Sequence, residues 1–131
     1  MERNQVDYEE LLEAARDVGF LSDEESAVSA VQAVLGILAG RLGEPQARAF
    51  VSHLPEPLSY EKLRGQQEDV TDLTADQYVT AIAEEFDVAR RDAKRLICSV
   101  VGSALGPVEE AAFDRFERDL PEDWKALLRE C

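Results

Sequence analysis

The chain has 131 residues, 45% of them apolar and 32% charged, which fits one globular domain able to remove roughly two-thirds of its unfolded surface from water and excludes disorder as the default. Its 28 acidic residues against 14 basic ones give a formal net charge of −14, an imbalance that repels a phosphate backbone and argues against direct nucleic-acid binding. The basic residues are 11 Arg and only 3 Lys; with the acidity this suits a salt-rich cytoplasm, and a high-GC genome explains it equally well.

Met1 leads into Glu2-Arg3-Asn4-Gln5, without the basic and apolar regions of a secretory signal, so a cytoplasmic location is expected. Tyr8, Leu11, Leu12, Ala15 and Val18 recur at helical spacing and predict a first helix with one apolar stripe. Ser22-Asp23-Glu24-Glu25 predicts a capping box, the Ser22 hydroxyl accepting from the first turn and Glu25 reaching back. The second helix carries Ala27, Val31, Val34, Leu35, Leu38 and Leu42 and stops at Gly43-Glu44-Pro45, where glycine suits a left-handed cap and proline the next first turn. Ser29, Gln32, Gly36, Gly40 and Arg41 interrupt this run, which is shorter than the ~20 residues that span a bilayer. It reads as a buried helix, and no membrane partner is expected. Ala47, Phe50, Val51 and Leu54 line a third helix that Pro55 and Pro57 end. Leu58 to Leu63 predicts one or two further turns.

A polar, aperiodic stretch follows, read as a connector over residues 65–73. Thr74-Ala75-Asp76-Gln77 then predicts a capping box, with Tyr78, Ile82 and Phe86 on one face of the helix it starts. Ala93, Leu96, Ile97, Val100, Val101, Ala104 and Leu105 make a central helix closed by Gly106-Pro107. Val108, Ala112, Phe116 and Leu120 line the next helix, and Trp124, Leu127 and Leu128 a short terminal one. Nothing alternates with a period of two for the length of a strand, so the fold class is all-α.

An offset of 66 positions lays Phe20 on Phe86, Ala27 on Ala93, Gly36 on Gly102, Phe50 on Phe116 and Leu54-Pro55-Glu56 on Leu120-Pro121-Glu122. Self-similarity at a fixed offset marks one supersecondary unit used twice. The expected organisation is a single domain over 1–131 built from an internal repeat, 6–64 and 74–130, each unit having three to four helices. Pro45 and Pro107, which open the third helix of each unit, fall out of this register. A pseudo-twofold bundle with the two central helices in contact is the simplest way to bury both.

The Tyr-x-x-Leu-Leu at Tyr8 to Leu12, the acidic turn at Ser22 to Glu25, Ala-Val-Leu-Gly at Ala33 to Gly36, Arg41-Leu42 and the Leu-Pro-Glu after each third helix resemble the prokaryotic family catalogued as domain of unknown function 2267. The second half, Tyr78 to Trp124, fits it too, so the resemblance covers nearly the whole chain. It implies a small helical protein without an assigned reaction, and it carries over no catalytic residue.

The chemistry-bearing residues are sparse. His53 is the sole histidine and reads as a helix C-terminal residue favoured by the dipole, so no catalytic triad is expected. One His with Cys98 and Cys131 lacks any zinc-ligand spacing, no disulfide framework is implied, and Cys98 reads as a small core residue. Glu9-Glu10, Asp23 to Glu25, Glu84-Glu85 and Glu109-Glu110 read as solvated faces or helix starts rather than a hard-cation site. Neither the di-iron nor the calcium-loop pattern occurs. The expected sets of catalytic, cofactor-binding and metal residues are therefore empty.

Gly36, Gly40 and Gly102 are candidates for close helix packing, because small residues four apart let a second helix approach; Gly106 doubles as a helix cap. Tyr60 and Trp124 are candidate partner contacts if exposed, against the alternative that they cap the core. The leading expectation is a non-enzymatic helical module acting by protein contact, as a homodimer or a subunit of something larger. The alternative is a small-molecule- or cation-responsive regulatory domain with a pocket between the repeats, lined by Tyr8, Phe20, Tyr78 and Phe86.

Overall fold

In the computed structural model, which describes residues 8–21, 23–42, 44–52, 54, 73–105, 114, 118 and 120–129, α1 spans Tyr8–Arg16 and buries Leu11, Leu12 and Ala15. Those are the stripe residues expected from their spacing, and Val18 continues the stripe into the turn. The helix leaves through Gly19, whose φ of 94° lies where an L side chain meets its own backbone. Its N–H donates to the Arg16 carbonyl at 3.1 Å.

Helix α2, Glu24–Arg41, starts one residue later than the expected capping box: Asp23 is its N-cap, and the Asp23 carboxylate accepts from the Ser26 N–H at 2.8 Å. A carboxylate satisfies the free N–H as a hydroxyl does and also opposes the positive end of the dipole. Hydrogen bonding from the Ser26 side chain first and its backbone N–H second holds the Asp23 carboxyl below its ordinary range. At the other end Leu42 is an extended C-cap whose N–H returns to the Ala39 carbonyl; the left-handed cap expected at Gly43 lies outside the described residues. Helix α3, Glu44–Ser52, takes Pro45 in its first turn and buries Ala47, Phe50 and Val51, with Leu54 beyond it. The 3.6-residue period survives into packing here.

Thr74 and Gln77 form the expected capping box at the start of α4, Ala75–Phe86: the Gln77 N–H donates to Thr74 Oγ1 at 3.1 Å, and the Thr74 N–H to Gln77 Oε1 at 2.9 Å. Asp87 ends α4 in the left-handed region at φ 53°. Helix α5, Arg90–Leu105, buries all of Ala93, Leu96, Ile97, Val100, Val101 and Ala104. Residues 114 and 118 are helical, and α6, Glu122–Arg129, buries Trp124 and Leu127.

Among the described residues every regular element is a helix and none is a strand, in agreement with the all-α expectation. Helix α5 is the hub, touching α1, α2 and α4, so the two central helices α2 and α5 do meet. The partners of the other helices are unequal. Helix α1 packs extensively on both α2 and α5, whereas α4 lies on α5, touches α2 more briefly and is covered by α6. The connector 65–73 and the extra turns at Leu58 to Leu63 fall outside the described residues apart from Leu73.

Candidate functional site

The most specific chemistry in the described structure lies where α4 and α5 meet α1 and α2. Tyr78 is fully buried, and its hydroxyl donates to the Val34 carbonyl at 2.6 Å. Burial pushes its pKa well above that of a free tyrosine. Ser99, on α5, donates through Oγ to the Ala14 carbonyl at 2.7 Å. Each bond runs from a side chain of the second half to a backbone carbonyl of the first.

On its other side Tyr78 stacks against Trp124, ring centroids 4.7 Å apart and planes inclined by 16°. Trp124 is itself fully buried, and its Nε1 donates to the Leu73 carbonyl at 3.1 Å. The adjacent Asp123 accepts the Ala75 N–H through Oδ2 at 2.7 Å. Two successive residues of α6 thus hold the entry to α4, one by ring contact and one by capping a free N–H.

A second feature is a cleft of about 330 Å³ whose described lining is Asp114, Arg118, Lys125 and Arg129. Lys125 and Arg129 are four apart on α6 and so share a helix face. The Lys125 side chain is 19% exposed and reaches Glu122 Oε1 at 3.5 Å, while that glutamate is 87% exposed. Among the described residues no group of three or more His, Cys, Asp and Glu side chains is placed to hold a metal ion. None of the described helices is long and apolar enough to cross a membrane.

The model of DUF2267, described as an uncharacterized conserved protein, matches residues 8–127. The chain belongs to the DUF2267 family. No curated protein and no solved structure matches it.

In this DUF2267 chain the residues singled out from sequence fare differently. Trp124 is core, not surface: its ring is spent on Tyr78 and its indole N–H on Leu73, so it offers no face to a partner. Tyr60 and His53 lie outside the described residues. Gly40 is buried and Gly36 half-buried on α2, but Gly102 is exposed, and a Cβ there meets nothing within 4 Å. The equal spacing of Gly36 and Gly102 in the two halves therefore does not produce equal surroundings, because α5 turns Gly102 away from its neighbours.

Of the four aromatic residues expected at the seam, Tyr78 is satisfied internally, and Phe20 and Phe86 pack partly buried against the core. Tyr8 also sits partly buried, and its pKa is raised by burial first and then by Glu24 and Glu9. Cys98 is half-buried and disulfide-bonded, in place of the simple core thiol expected. Two cysteines in a sequence cannot announce a bridge, since pairing depends on which backbone segments meet. The other cysteine of the DUF2267 chain, Cys131, lies outside the described residues.

Sequence reasoning missed Ser99, Asp123 and the cationic cleft. Ser99 left a faint signal, one hydroxyl inside the apolar run from Leu96 to Val101. Lys125 and Arg129 left another, two cations one helical turn apart in an acidic chain. Asp123 left none, since its partner Ala75 is 48 residues away.

Proposed function

We propose that this DUF2267 protein is a non-enzymatic helical module that works through protein contact in the cytoplasm, as a homodimer or as a subunit of a larger assembly. What supports the reading is the use made of the interior polar side chains. Tyr78 Oη, Ser99 Oγ and Trp124 Nε1 each donate to a backbone carbonyl of another segment. They fasten helices together and leave no poised acid, base or nucleophile among them. The acidic exterior, net −14, then selects protein partners over nucleic acid.

On the same reading, residues 6–64 and 74–130 are two copies of one unit that share a core through α1, α2 and α5. Sedimentation velocity over a wide concentration range tests it. A mass that grows with concentration, or a stable dimer, fits self-association. A monomer throughout, with no gain in mass on incubation with native lysate at the source's own salt concentration, rejects the proposal.

A further inference from the structure

Cys98 is disulfide-bonded, and the sequence holds one other cysteine, Cys131. Cys98 sits on α5, the hub of the fold, and is half-buried, so its sulfur is not sealed in the core. Cys131 stands two positions past Arg129, where α6 ends. Helix α6 rests on α4, which in turn packs on α5. At eight residues it is shorter than a helix that holds by itself in water. Asp123 and Trp124 fasten its first turn to Ala75, Tyr78 and Leu73. A covalent tie just beyond its last turn secures the opposite end.

We propose that the Cys98 bond closes on Cys131 and acts as a reducible latch, whose opening by a dithiol frees α6 to leave α4 and uncovers the Tyr78–Trp124 contact. A disulfide stabilises by restricting the open chain, and here the open state in question is α6 swung away from its seat. In the exchange, a thiolate of the dithiol attacks one sulfur of the bond, forming a mixed disulfide and releasing the other cysteine as a thiolate that takes up a proton. The second thiol of the dithiol loses its proton and displaces the remaining cysteine. Two electrons and two protons pass to the protein, which ends as two thiols while the reductant ends as a disulfide. In a reducing compartment such a bond is made and broken as a signal rather than kept as a permanent staple. The signalling role rests on the cytoplasmic part of the reading above; the bond and its effect on α6 are measured on the purified chain, whereas sedimentation alone decides the contact function.

The test compares the full chain before and after treatment with dithiothreitol. Without reductant the denatured chain takes up no iodoacetamide and runs as a monomer; after reduction it takes up two equivalents. The chain has a single tryptophan, Trp124, which is fully buried, so its emission moves to longer wavelength on reduction as water reaches the ring. Hydrogen exchange at α6 amides accelerates by at least about tenfold, while α1, held between α2 and α5, stays within about twofold. Cys131→Ser, beyond the end of α6, matches the reduced wild type in emission and exchange and no longer responds to dithiothreitol. Alkylation without reductant, a disulfide that joins two chains, or a reduced chain with unchanged emission and α6 exchange overturns the proposal.

Discussion

Helices α1 and α4 open the two halves of the chain with similar apolar stripes, yet they are held by different means. Helix α1 is clamped between α2 and α5 and leaves through a glycine at φ 94°. Helix α4 has a briefer contact with α2 and is covered instead by α6, which stacks Trp124 on Tyr78 and caps Ala75 with Asp123. Both helices rest on α5, but α1 takes its second support from α2 and α4 from a segment 48 residues further along the chain. Similar sequence patterns thus fix which face is buried without fixing what buries it.

The most disruptive way to probe that difference is Trp124→Ala, which empties the space beside Tyr78. It lowers stability by about 3–5 kcal/mol in chemical denaturation. Hydrogen exchange then shows α4 amides losing protection ahead of those in α1. Equal loss in both helices breaks the comparison. Gly19→Ala attacks α1 alone: a Cβ there meets nothing within 4 Å, so the penalty is backbone strain of about 1–2 kcal/mol, read from the denaturation midpoint.

The two seam bonds come next. Tyr78→Phe and Ser99→Ala each remove one bond across the halves and each cost about 0.5–1.5 kcal/mol. They fasten different helix pairs, α4 to α2 and α5 to α1, so the double variant loses about the sum of the two. Alkaline titration sharpens the same point. Burial raises the folded pKa of Tyr78, so its contribution is whole below the unfolded tyrosine value of about 10 and falls as pH rises through the interval up to the folded value. Wild type therefore destabilises more steeply above that pH than Tyr78→Phe does, as thermal melts across the alkaline range will show.

The smallest effect is a gain. Gly102 is exposed inside α5 with open space where a side chain goes, and Gly102→Ala adds about 0.5–1 kcal/mol by restricting the unfolded chain. If a second copy seats against this glycine, the same substitution raises thermal stability while weakening self-association in sedimentation.

Much of the architecture was legible in the residues themselves. The stripes of α1, α3 and α5 became core because a 3.6-residue period can bury only one face. The Thr74–Gln77 box formed as read because both partners lie within one turn. The start of α2 moved to Asp23 because two adjacent residues can each cap and only local geometry chooses between them. Trp124 could be read as anchor or as core, and its burial depended on where α6 comes to rest. The cleft was out of reach, since it joins Arg118 to Lys125 and Arg129 across the break between two helical segments.

By itself the sequence determined the helical class, the buried faces and one capping box, which follow from periodicity or from contacts within a turn, and the family, which follows from the resemblance of its residues to the family model. Only the tertiary structure decided that α1 and α4 have different neighbours, that Gly102 faces open space, that Cys98 is paired, and that three cations gather in an acidic protein. Those depend on how far-separated segments meet, and the energy of that meeting is shared among many side chains, none of which encodes its partner.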